Sequence, residues 1–187
     1  MTTPNKSNMS QAFTTILESL GENLDRPGLI RTPDRAAQAL CDLTSGYKTS
    51  PTDIINNALF PSESKGMVIQ RGLEFYSLCE HHLLPFFGRI HVAYLPDKNI
   101  IGLSKIGRII DVFAKRLQVQ EILTYQIAHA LNNLVKPHGV AVIAEASHLC
   151  MMMRGIQKQG SVTLTSEYIG IFNDDQNIRE QFISAVK

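Results

Sequence analysis

Cysteine is scarce in this chain: Cys41, Cys79 and Cys150 are the only three thiols among 187 residues. So few, so unevenly spaced, they exclude a disulfide-stapled scaffold and fit a reducing compartment in which thiols stay free to bind metal. An excess of one charge is missing too. Eighteen Lys and Arg face 17 Asp and Glu, a formal net charge of +1, so nothing in the overall balance would neutralise a nucleic-acid backbone or an anionic membrane surface. Any basic patch has to be local. Long apolar runs are absent, and the stretch Met1 to Met9 is polar, without the apolar centre of a secretion signal. These absences together predict a cytoplasmic protein with no nucleic-acid and no membrane partner. At 44% hydrophobic residues, the chain can still bury one real core.

The first third reads as helical. Phe13, Ile16, Leu17 and Leu20 fall on one face after Ser10, a candidate N-cap, with Gly21 as the stop. Thr32-Pro33 places a capping hydroxyl before a first-turn proline, and Ala36, Ala37, Leu40 and Leu43 continue the stripe towards Gly46. Residues 47–66 are rich in Pro, Ser, Asn and Thr and read as a connector with one short helix around Ile54 and Ile55. The expected division is an N-terminal helical segment and connector, 1–66, and a second domain, 67–187. From Met67 the hydrophobic period changes to that of strands. Val68 to Leu78 and Arg89 to Leu95 suit a hairpin whose loop carries Pro85 and Gly88. A helix capped by Ser104 follows, then a second through Ile122, Ile127, Leu131 and Leu134 that ends before Pro137. Strands over Val140 to Ala146 and Val162 to Tyr168 and a last helix from Asp174 to Val186 complete the chain. Paired strands around paired helices predict an α+β fold, a four-stranded antiparallel sheet with helices on one face. The other face and the edges then need cover, which points to a symmetric homo-oligomer.

One stretch concentrates chemistry. Cys79-Glu80-His81-His82 is answered far along the chain by His148-Leu149-Cys150. Cys79 and His82, at i and i+3, can be aimed at one ion by a single turn, and Cys150 can add a distant third ligand. Two thiolates and an imidazole favour zinc over the oxygen-seeking calcium and magnesium, and three ligands leave a fourth position for water. The competing reading is a pair of ordinary buried thiols. Lys105 and Arg108 share one face near the start of a helix, where backbone N–H groups attract anions, although two such cations are more often a solvated surface. Gln120-Glu121 at a helix start reads as a cap or a solvated turn.

The chain resembles the GTP cyclohydrolase I family. The likeness is carried by Thr32-Pro33-Asp34-Arg35-Ala36-Ala37, Cys79-Glu80-His81-His82-Leu83-Leu84-Pro85-Phe86, His91-Val92-Ala93-Tyr94, Ile101-Gly102-Leu103-Ser104-Lys105-Ile106 with Arg108, Gln118-Val119-Gln120-Glu121, His148 with Cys150, and Met153-Arg154-Gly155-Ile156. The resemblance implies a tunnelling fold, subunits joined into a decamer with active sites at their interfaces, one zinc ion per subunit, and conversion of GTP to 7,8-dihydroneopterin triphosphate with release of formate, the first step of pterin and folate biosynthesis. It implies that Cys79, His82 and Cys150 hold the metal and that His148 and His81 are catalytic, His148 as general acid. Arg35, Ser104, Lys105, Arg108 and Arg154 would bind the triphosphate, and Glu121, with Gln120 beside it, the guanine edge. A non-catalytic zinc-binding oligomeric module, filling its fourth position with His81 or His148, and a related tunnelling-fold enzyme, a nitrile reductase with a cysteine nucleophile, are the alternatives.

Overall fold

The computed structural model describes residues 5–187; of the N-terminal segment 1–66, residues 1–4 lie outside the described residues. Helix α1 (Lys6–Ser19) starts earlier than the apolar stripe suggests, because Asn5 rather than Ser10 caps it by accepting from the Asn8 N–H. Ser10 lies inside the helix and donates to Asp34 at 2.7 Å. In α2 (Thr32–Leu43) the N-cap position belongs to Arg31, and the Thr32 hydroxyl donates back to the Gly28 carbonyl. A 3-10 turn, Ser45–Lys48, and the short α3 (Pro51–Ile55), closed by a Ser50/Asp53 capping box, follow.

The connector is tied to the rest of the chain. Strand β1 (Leu59–Pro61) pairs with β4 (Asn99–Ile101) in a small antiparallel sheet. Gly46 lies against the helix α4 (Leu103–Ala114): its N–H donates to the Lys115 carbonyl at 2.8 Å, and a β-carbon there would run into the carbonyls of Val112 and Lys115.

The main sheet has the order β5-β2-β3-β6-β7. Strands β2 (Val68–Cys79), β3 (Pro85–Leu95), β6 (Gly139–His148) and β7 (Thr163–Gly170) form the expected antiparallel four. A fifth strand, the two-residue β5 (Leu117–Gln118), adds to β2 in parallel, opposite Leu78 and Cys79. Pro85 and Gly88 are strand residues, not loop residues. Pro85 opens β3, where a missing N–H does least harm. Gly88 packs so tightly on β6 that a β-carbon would lie 2.7 Å from the Ala146 Cα.

Helices α4 and α5 (Gln120–Val135) lay Ile106, Ile109, Ile110, Phe113, Leu123, Ile127 and Leu131 on one face of the sheet, against Phe75, Phe86, Ile90, Val92, Val140 and Val142. Helix α4 is capped at Gly102 with no side-chain hydrogen bond, so Ser104 is a first-turn residue and not the cap. The second face is not bare along its whole length. After α7 (Ile171–Asp174), α8 (Gln176–Val186) crosses it and buries Phe172 and Phe182 against Ala93 and Ala141. Past that cover, Tyr76 and Phe87 stack with ring centroids 5.9 Å apart and stay exposed. No helix of the described residues is long and apolar enough to cross a membrane.

Candidate metal centre and its surroundings

The turn between β2 and β3 is wound around Cys79. The Cys79 carbonyl accepts from the N–H groups of His82 (3.3 Å) and Leu83 (2.8 Å), and its own N–H donates to Leu84 at 2.9 Å. Leu83 closes the turn in the left-handed region, φ 56°, which a non-glycine residue enters only where its surroundings hold it. Strand β5 fixes the start of the turn, since the Glu80 N–H donates to the Gln118 carbonyl at 3.0 Å. Gln118 is itself buried, its side-chain amide donating to the Phe113 carbonyl and to Gln126, both at 2.9 Å.

Across the sheet, β6 ends at His148 and the chain turns directly into the short helix α6 (Leu149–Met152), which holds Cys150. The strand alternation that would put His148 and Cys150 on one face therefore stops before Cys150. The thiol reaches the turn nonetheless: the ligand atoms of Cys79, His82 and Cys150 all lie within 4.8 Å of one another. Cys79 Sγ is 3.9 Å from His82 Nδ1. Tetrahedral zinc, with bonds of about 2.3 Å to sulfur and about 2.0–2.1 Å to nitrogen, needs neighbouring ligands roughly 3.5–3.8 Å apart. The donor set thus fits a zinc ion after small side-chain movements. Burial raises the pKa of the Cys150 thiol, and the adjacent Cys79 raises it further, while Arg154 opposes both. A divalent cation beside the Cys150 thiol would favour its ionised form.

His81, exposed on the same turn, brings Nδ1 to 3.8 Å from Cys79 Sγ and Nε2 to 3.9 Å from Glu80 Oε1. His148 is held from two sides. Its ring stacks on the fully buried Phe86, centroids 4.6 Å apart and planes at 3°, and its Nε2 meets Gln120 Oε1 at 2.7 Å. Burial lowers its pKa, and the carboxylate of Glu121 raises it.

Gln120 is 1% exposed, with its amide nitrogen against the Ala144 and Thr163 carbonyls and the Thr165 hydroxyl. Its side-chain hydrogen bonds are made inside the protein. Neighbouring Glu121 is exposed at the start of α5, close enough to act on His148. Arg154 is exposed beside Cys150.

The remaining basic residues lie elsewhere in the chain. Arg35 is exposed on α2. Arg108 lines a separate surface cavity of about 210 Å³ with Ser45, Thr49, Asp111 and Lys115. The C-terminal end of α4 leads to β5 and the metal turn, and Lys105 lies nine positions before Ala114 there, on the order of 14 Å of helix. Ser104 and Lys105 lie in the first turn of the same helix.

Residues 9–187 match the family model described as GTP cyclohydrolase I. The chain belongs to the GTP cyclohydrolase I family. A GTP cyclohydrolase 1 of Campylobacter jejuni is 56% identical over 92% of this chain and 90% of its own length. That of Leptospira biflexa is 51% identical over 96% and 98%, and the Homo sapiens protein of the same name is 46% identical over 98% of this chain and 73% of its own length. An enzyme of the GTP cyclohydrolase I type follows from membership of this family.

Phe86, Gln118 and the Tyr47–Arg116 pair were not read as supports of the site from sequence. The Tyr47 hydroxyl accepts from the Leu117 N–H at 3.1 Å, while Arg116 donates to the carbonyls of Val112 (2.7 Å) and Gly46 (3.2 Å). The connector thereby braces β5, and β5 braces the turn.

Proposed function

We propose that the chain binds one zinc ion through Cys79, His82 and Cys150 and hydrolyses the imidazole ring of GTP at C8, releasing formate and closing the remainder to 7,8-dihydroneopterin triphosphate. The observation that carries this reading is the meeting of two thiols and one imidazole, from segments far apart in sequence, within 4.8 Å. Zinc in such a site supplies Lewis acidity that makes a hydroxide nucleophile available near neutral pH. The chain's own residues do the rest. His148, wedged between Phe86 and Gln120, delivers a proton to the base as water adds across C8 and N7. His81, free on the turn, serves the later rearrangement of the sugar. Glu121 accepts the ring N–H and exocyclic amine of guanine as a pair.

Arg154 meets the triphosphate beside the metal, and Ser104, Lys105 and Arg108, with Arg35, complete the phosphate site from a neighbouring copy. The opening of Arg108 onto a surface cavity lined by Ser45, Thr49, Asp111 and Lys115, none of them a residue of the metal turn, supports that division. The functional unit is accordingly a cytoplasmic homo-oligomer, a decamer, with sites between subunits, feeding pterin and folate synthesis. Incubation of the zinc-loaded protein with GTP tests the reading: formate and a pterin that fluoresces after oxidation should appear in equal amounts. Formate without a pterin, or neither product, overturns it.

A further inference from the structure

A glutamine at the first position of a helix normally points to solvent, so the near-complete burial of Gln120 calls for a reason. Its amide can sit only one way round. Two of the three groups facing its nitrogen are the carbonyls of Ala144 (3.1 Å) and Thr163 (3.0 Å), which only accept hydrogen bonds. The third, the Thr165 hydroxyl, lies 3.2 Å from the amide nitrogen and 2.6 Å from the Thr124 hydroxyl, which in turn donates to the backbone carbonyl of Gln120 at 2.9 Å. Turning the amide over would set oxygen against carbonyl oxygen at about 3 Å in a buried place, a costly arrangement. Oε1 is thereby forced towards His148 at 2.7 Å.

An amide oxygen has no proton to give, so the proton in this hydrogen bond sits on His148 Nε2. The face-to-face contact with Phe86, at 4.6 Å and 3°, holds the ring plane, and a half-turn within that plane would put Cε1 in the place of Nε2 and lose the hydrogen bond to Gln120. The hydrogen bond made by one imidazole nitrogen decides the protonation of the other. We infer that Gln120 is a positioning residue that keeps a proton on His148 Nε2, which makes the neutral ring the Nε2–H tautomer, and so fixes how the imidazole is presented at the site. This rests on the reading of His148 as the proton-transfer group. It adds the residue that orients that group.

The test is nitrogen NMR of the zinc-loaded protein labelled with ¹⁵N-histidine, the His148 signals being assigned by their loss in His148→Ala. Wild type should show His148 with a protonated Nε2 and a bare Nδ1 when neutral. In Gln120→Met, which keeps the volume and removes both halves of the amide, that pattern should give way to mixed tautomers. Its kcat should fall about 10- to 100-fold, the usual cost of losing a residue that orients a metal-site side chain, with KM for GTP and zinc content unchanged. A wild-type His148 protonated on Nδ1 overturns the inference without any variant. An unchanged NMR pattern in Gln120→Met overturns it as well. Normal turnover by His148→Ala would instead remove the catalytic reading of His148 while leaving the tautomer measurement standing, so the two failures are told apart.

Discussion

Replacing Phe86 should separate the stability of the core from the alignment of the site. The side chain is fully buried, packs edge-on against Phe75 with centroids 5.8 Å apart, and carries the His148 ring on its face. Phe86→Ala would open a cavity at the metal-turn end of the central strand β3 and cost about 3–5 kcal/mol, a large part of the roughly 5–15 kcal/mol that holds a domain together. Phe86→Leu is the more telling change. It refills most of the volume and should lose about 1–2 kcal/mol, chiefly the ring–ring term of roughly 0.5–1.5 kcal/mol and a little packing. Without the flat platform, however, His148 gains freedom to rotate. The expected result is a small drop in the urea midpoint with an unchanged denaturant slope, and a kcat reduced about tenfold or more, out of proportion to the stability loss. Urea unfolding and steady-state kinetics on the same preparation give both numbers. A Phe86→Leu protein that loses stability yet keeps wild-type kcat would refute the claim that this stack positions the imidazole.

Cys150→Ser should lose bound zinc and turnover together, checked by metal analysis beside the activity assay, because a hydroxyl is a poor replacement for thiolate and the other two donors share one turn. Lys105→Ala and Cys150→Ser chains, each inactive alone, should regain part of the activity when unfolded and refolded together, since a site drawing on two copies finds some interfaces with both intact residues; no recovery in verified mixed oligomers counts against a shared site. Acid stability should depend on His91, whose pKa is lowered by burial, with Glu145 opposing and Arg89 and Arg71 adding to the fall. A lowered folded pKa means that the unfolded chain binds the proton more tightly, so stability is complete above about pH 6.5 and declines as pH drops below it. Unfolding midpoints of wild type and His91→Gln between pH 8 and pH 5 should converge at low pH as only the wild type weakens.

The long elements were legible because each buries one face over many residues. Alternation in β2, the continuous apolar run of β6 and the helical stripe of α4 survive small errors at their ends. Caps were less legible, since Asn5, Arg31 and Gly102 are fixed by where the backbone turns, not by the nearest hydroxyl at Ser10, Thr32 or Ser104. Strands of two or three residues, such as β1, β4 and β5, carry no period at all and exist through their partners. Gly88 read as a turn residue because the close approach of β6, which demands glycine, is a fact of tertiary packing. At the site, the residue types able to bind metal stood out in Cys79, His82 and Cys150. The residues that support them did not: Gln118 and Gln120 look like ordinary surface glutamines until the fold buries them.

The most direct test of the account is a zinc titration of the metal-free protein with formate release from GTP as the readout. Turnover should rise in proportion to zinc bound and level off at one ion per chain. Formate release by protein shown to hold no metal, or one zinc per chain bound with no formate released, would contradict the central claim.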